Sequence, residues 1–267
     1  MRPDAYTWAW DADALILVPA FALAYALATR GRPVERWRVV SFGAAMTLIA
    51  VVSITPLQTV ALNYLLSAHL LQNVVFAEWA PALFVLGIPP FLAASIARLP
   101  PARYLTWPPA ALAIWLAVYF FWHLPFAYDA ALRHQATLLH LEHGMYFGAG
   151  LLLWWPVLQD EPWQLRPGRR AGYLFAAFLL ASPLGLLLAL IPEPLYQWYE
   201  DGPGLWELSA ITDQQIAGIT MAFEQALVFF AAFTYFFLRA LGSDERGETY
   251  RAGGLTSPGR PPGPRRP

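Results

Sequence analysis

Long apolar runs separated by short polar breaks dominate the chain, and seven stand out, near residues 13–29, 39–56, 62–88, 107–123, 137–157, 172–191 and 212–240. With a rise of about 1.5 Å per helical residue, about 20 apolar residues cross the hydrocarbon core of a bilayer. The pattern therefore predicts an all-α, polytopic membrane protein with seven transmembrane helices. The third and seventh runs are long enough to tilt. No stretch carries strand alternation, an internal repeat or a Gly-rich phosphate loop. Met1-Arg2-Pro3-Asp4, Asp11 and Asp13 precede the first run without a basic n-region or a small-residue cleavage site, so that run is expected to be retained as a span.

Composition narrows the class. The chain is 58% hydrophobic and 13% charged, where an ordinary soluble domain has about 25% charged residues, which excludes a water-soluble globule. The net charge is −1 and every basic residue is an arginine, scattered between apolar blocks, so no nucleic-acid partner is indicated. The lack of cysteine excludes disulfides and thiolate metal sites. Alternate polar breaks hold Arg30, Arg32, Arg36 and Arg38, then Arg98 and Arg103, then Arg166, Arg169 and Arg170, then Arg239 and the tail; only Arg2 and Arg133 fall on the other side. Short basic loops stay cytoplasmic, which predicts the N-terminus outside and the C-terminus in the cytoplasm.

Trp8, Trp10, Trp122, Trp198 and Trp206 are then expected at the outer interface, and Trp37, Trp107, Trp154, Trp155 and Trp163 at the inner one. The domain reading is a transmembrane unit over 1–242 and a disordered Arg/Pro/Gly-rich cytoplasmic tail over 243–267, able to touch anionic lipid. The external loop 192–211, with Glu193, Glu200, Asp201 and Glu207 and no basic residue, is expected to lie on the membrane as an acidic flap.

The predicted topology gathers all five histidines in the outer half. His69 falls about 10 Å into the third span and His123 ends the fourth at Pro125. His140 and His143, at i and i+3, share a face roughly 5 and 9 Å into a fifth span capped by Thr137. His134 lies in the preceding loop, outside this set. A lone histidine in a membrane helix is usually a hydrogen-bonding strut, but four imidazoles at one depth on three helices suggest a shared site. Imidazoles suit copper, zinc, iron or nickel. Gln72, Asn73, Asp129 and Glu142 are candidates to hold the ligating rings by their other N–H.

The seventh span opens Thr212-Asp213-Gln214-Gln215, a capped helix start, and carries an inward stripe of Gln214, Gly218, Met221 and Gln225. Met221 is either a soft copper(I) ligand or packing. Glu78 and Glu224 fall near mid-span, where an ionised carboxylate costs about 2.5 kcal/mol or more, so protonation or polar pairing is expected. Nine residues past His69, Glu78 is expected to face away from the histidines.

The segments Ala68-His69-Leu70-Leu71-Gln72, Trp122-His123-Leu124-Pro125 with Tyr128-Asp129-Ala130-Ala131-Leu132, His140-Leu141-Glu142-His143, Trp154-Trp155-Pro156 and Asp213-Gln214-Gln215, in this order, resemble the CtaG-like family of caa-type cytochrome c oxidase assembly factors. The resemblance spans residues from about 40 to 240. It implies a bacterial seven-span protein of the plasma (inner) membrane needed for an active haem-copper oxidase. Copper would be handled at the outer face, with oxidase subunits as partners and an extracytoplasmic copper donor. By position it implies His69, His123, His140 and His143 as the family's histidines, and Asp213 and Gln214 as its polar start of the last span. Asn73 stands where many relatives have a second histidine.

Four functions are set against one another. The first is a non-enzymatic assembly factor that binds copper through His69, His123, His140, His143 and Met221. The second is an intramembrane zinc hydrolase with Asp129 or Glu142 as base. The third is a b-type haem protein with facing axial histidines. The last is a scaffold whose histidines only make interhelical hydrogen bonds.

Overall fold

A computed structural model describes residues 3–254, and every regular element among them is helical. α1 (Ala12–Thr29) starts where Asp11 accepts a hydrogen bond from the Ala14 amide at 2.9 Å, an acid at the positive end of a helix. α2 (Arg36–Ile54) is followed by α3 (Pro56–Asn63), which Thr55 caps. α4 (Leu66–Gly87) contains a π-helical turn over Val75–Trp79. α5 (Pro90–Ala97), α6 (Pro100–Leu105), α7 (Pro108–Trp122) and α8 (Pro125–Arg133) each open on proline, whose missing N–H is lost at no cost in a first turn. A second π turn, Gln135–Leu139, leads into α9 (His140–Leu158). α10 (Pro167–Leu190), the short α11 (Gln197–Glu200) and α12 (Ala210–Gly254) complete the chain. Residues 255–267 of the expected tail lie outside the described residues.

By length and composition α2, α4, α10 and the Ala210–Gly242 part of α12 can cross a membrane, and α7 with α8 adds a fifth only as a pair bent by 72°. The seven apolar runs thus meet four or five helices of spanning length. The apolar part of α1, Ala14–Thr29, is short, and the first turn of α9 holds His140, Glu142 and His143, which dilute its hydropathy. The third run is divided: Tyr64 and Leu65 separate α3 from α4. Thr137 does not cap the fifth run as expected. The helical turn starts after His134, whose carbonyl accepts from Thr137 N at 3.0 Å and Leu138 N at 2.9 Å.

The bundle closes through small residues, as helix packing in lipid requires, because apolar side chains gain little by leaving lipid tails. α10 and α12 form the most extensive helix pair. A Cβ on Gly218 of α12 would come within 2.5 Å of the Ala189 amide nitrogen, and one on Gly150 of α9 within 2.3 Å of the Ala77 carbonyl of α4. The core between them holds Trp115, Tyr128, Tyr146, Tyr196 and Phe229, while Leu179, Leu190, Ile219, Phe223 and Phe230 stay exposed on α10 and α12. Trp8, Trp10, Trp206, Trp37 and Trp107 are exposed, but Trp122, Trp154 and Trp155 pack in the core and are not belt residues.

Candidate functional site

The histidine-bearing end of the bundle is covered by the connection 192–211, which folds inward where the sequence suggested a flap lying on the membrane. Its backbone is pinned from two sides: Asp129 of α8 accepts from Gln197 N at 3.3 Å and Trp198 N at 3.1 Å, and Gln214 of α12 accepts from Leu195 N at 2.7 Å. Trp198 donates its indole N–H to the Leu62 carbonyl at 2.9 Å. Two tyrosines of this lid, Tyr196 and Tyr199, are buried. Tyr196 donates to the His123 carbonyl at 3.0 Å, and burial pushes its phenol above the ordinary range, which keeps it a donor.

Beneath the lid lie His69, His123 and His143, all buried. The Tyr199 hydroxyl donates to the Ala61 carbonyl at 2.6 Å, so its oxygen accepts from His69 Nδ1 at 3.0 Å. His123 Nδ1 faces the Tyr119 carbonyl at 2.7 Å, an obligate acceptor. In both rings the proton therefore sits on Nδ1 and the Nε2 lone pair is left bare. His69, His123 and His143 each have a buried Nε2 without a partner. The rings of His69 and His143 are 6.1 Å apart, and Tyr128 lies between the others, 5.0 Å from His69 and 6.3 Å from His123. His143 stacks on Phe76 at 4.5 Å.

His140 stands apart from these three. It is partly exposed, with Nε2 3.3 Å from Asp11 Oδ2 and Nδ1 3.3 Å from the Ala136 carbonyl, so both ring nitrogens face acceptors. With Asp11, Ser53 and His143 it borders an apolar cleft of about 600 Å³ between α1, α2 and α9. Met221 lies with Asn73, Glu78, Tyr119, His123 and Tyr146 around a small inner cavity. Among the described residues no group of three or more His, Asp or Glu side chains is placed to hold a metal ion.

The polar neighbours divide by role. Asn73 donates to Glu142 Oε1 at 3.0 Å, a buried pair joining α4 to α9 beside His143, and leaves Asn73 Oδ1 and Glu142 Oε2 without partners. Gln72 reaches instead to the Val52 carbonyl at 2.9 Å and to Gln58, tying α4 to the preceding helices. The last helix starts at Ala210, earlier than the expected Thr212-Asp213 opening, and its Thr212 amide donates to Ser209 Oγ at 3.2 Å; the Asp213 carboxylate instead accepts from the Leu66 and Ser67 amides, at 2.6 and 3.2 Å, and so anchors the start of the helix that carries His69. Asp129 and Gln214 hold the lid. The sequence reading missed Tyr119, Tyr128, Tyr196 and Tyr199, because an aromatic in a helix or loop carries no periodic signal that separates packing from hydrogen bonding.

The fold and this pocket define a helical membrane protein whose polar chemistry is concentrated in buried imidazoles under a tyrosine lid. The family model for the cytochrome c oxidase caa3 assembly factor (Caa3_CtaG) matches residues 20–243, a stretch that contains all of these groups except Asp11, and the chain belongs to that family. Comparison with curated proteins and with solved structures gives no match.

Proposed function

We propose that this assembly factor, in the bacterial plasma membrane with its histidine end outward, binds copper at the imidazole pocket and passes it to an oxidase subunit. The observation that carries the reading is the set of three buried, unpartnered Nε2 atoms. Two imidazoles on one metal ion have ring centroids roughly 5–6 Å apart, given metal–nitrogen bonds of about 2.0 Å. The 6.1 Å between His69 and His143 is close to that spacing, which makes them the holding pair, with His123 a third imidazole on the far side of Tyr128. Tyr199 and the Tyr119 carbonyl orient two of the rings, the task that groups behind metal ligands perform elsewhere. His140 and Asp11 guard the cleft that leads to His143. The pinned lid closes the pocket toward the side from which a donor would deliver copper and an oxidase subunit would receive it.

Metal analysis and an optical spectrum of the purified protein test this. Copper near one equivalent per chain, lost in the His69→Ala/His143→Ala variant, is expected. Stoichiometric zinc in place of copper, a Soret band, or copper retained by the double variant would each overturn it.

A further inference from the structure

Deeper in the bundle a second group of buried polar side chains lies outside the imidazole pocket. Glu78 and Trp79 on α4 face Glu224 and Gln225 on α12 in a reciprocal clasp. Gln225 donates to Glu78 Oε1 at 3.0 Å, and Trp79 donates to Glu224 Oε1. The same Gln225 amide also donates to the Tyr119 hydroxyl of α7 at 2.9 Å. Each carboxyl thus has one oxygen satisfied, while Glu78 Oε2 and Glu224 Oε2 are buried without partners, and the two groups lie within interacting range of each other. Among the described residues neither takes part in an ion pair.

Two like charges in this setting are untenable: an ionised carboxylate at mid-membrane is costly by itself, and mutual repulsion adds to that. We propose that Glu78 and Glu224 form one proton-binding site, a carboxylic acid hydrogen-bonded to a carboxylate, with the proton held between the two free Oε2 atoms. Paired carboxyls that share one proton are a recurrent solution to this conflict. The backbone supports the assignment. Glu78 sits in the π turn of α4, and such turns insert one residue and re-aim side chains at working sites. Glu78 and His123 line the same small inner cavity, together with Met221. The other titratable groups around it are Tyr119 and His123 at the end of α7 and Glu142 and Tyr146 on α9. A copper ion arriving at the imidazoles repels this proton, so the pair serves as counter-charge for the cargo; that role rests on the copper reading, whereas the proton site does not.

Infrared spectroscopy of the full chain in detergent tests it through the deuterium-sensitive C=O stretch of a protonated acid at neutral pH. Expected are a band absent from Glu78→Gln/Glu224→Gln, shifted in frequency by either single substitution, and unaffected by Glu142→Gln. Trp79→Phe, which keeps both carboxyls, shifts the band too and covers the case in which the glutamine variants fail to fold. A band that survives the double substitution, that halves without shifting in each single variant, or that is missing from the wild type overturns the shared proton. Titration with copper(I) in a weak buffer with a pH indicator should release one proton more from the wild type than from the double variant. If the wild type binds no copper while the band behaves as stated, the copper reading alone falls.

Discussion

Replacing Tyr199 by phenylalanine isolates one atom of the proposed site. The hydroxyl bridges His69 Nδ1 at 3.0 Å and the Ala61 carbonyl at 2.6 Å, in a place from which water is excluded. Removing it leaves a buried N–H and a buried carbonyl unsatisfied, worth about 1–3 kcal/mol of stability. It also frees the His69 proton to move to Nε2, which blocks the lone pair that would meet the metal. Losing a hydrogen bond that orients a ligating imidazole typically lowers metal affinity by about 10–100-fold, or roughly 1.4–2.7 kcal/mol. The assay is competition for copper(I) against a chromophoric chelator, with thermal unfolding in detergent run in parallel. Tyr196→Phe is the control, because that hydroxyl donates to the His123 backbone carbonyl and touches no ring nitrogen. It should lower stability by a similar amount and change affinity by less than about threefold. Equal losses of affinity in the two variants would mean that lid closure alone matters. No loss in Tyr199→Phe would refute the tautomer argument.

His143→Ala should abolish copper retention, whereas His140→Ala should retain it and lose about 0.2–1 kcal/mol, the worth of a partly exposed pair with Asp11; metal analysis separates the two. Asp213→Ala removes the acceptor for the Leu66 and Ser67 amides and should destabilise the fold by about 2 kcal/mol or more, read as a fall in melting temperature. Gly150→Ala drives a methyl into the Ala77 carbonyl and Pro81 and should cost about 1–3 kcal/mol, while Gly148→Ala on the same helix meets nothing within 4 Å and should be neutral in the same melt.

The helical character of the apolar runs was legible because it follows from length and composition alone, whereas Pro125, read as the end of a span, opens a helix, and His140, read with the other histidines, stands apart beside Asp11. The clasp was not legible. Counting nine residues from His69 at about 100° each turns Glu78 to the opposite face. The π turn at Val75–Trp79 absorbs one residue, and the remaining eight bring Glu78 to about 80° from His69, facing α12. Nothing in Val75-Phe76-Ala77-Glu78-Trp79 announces that insertion. The same blindness hid the true start of α9, where a π turn over Gln135–Leu139 replaces a threonine cap. The break between α3 and α4 has neither glycine nor proline, and is stabilised from afar by Asp213, a partner no local window contains. Asp129 read as a partner for imidazole and turned out to hold the lid backbone, since a carboxylate serves amide donors and ring N–H groups equally well.

The histidine-bearing end of the bundle sets a histidine with both ring nitrogens engaged beside histidines that keep one nitrogen free. A strut uses both ring nitrogens, as His140 does with Asp11 and the Ala136 carbonyl. His69 and His123 spend only Nδ1, and spend it on groups that fix the tautomer, leaving the nitrogen best exposed for coordination bare in a buried space. An unpartnered buried polar atom costs about 1–3 kcal/mol, and three imidazole Nε2 atoms of this kind recur here on three different segments of the chain. Packing alone gives no reason to keep that cost, because an apolar side chain at each position would remove it. The proposed soft cation, meeting the free Nε2 atoms, does give one, and it also accounts for Tyr199 of the lid meeting His69 at the opposite ring nitrogen.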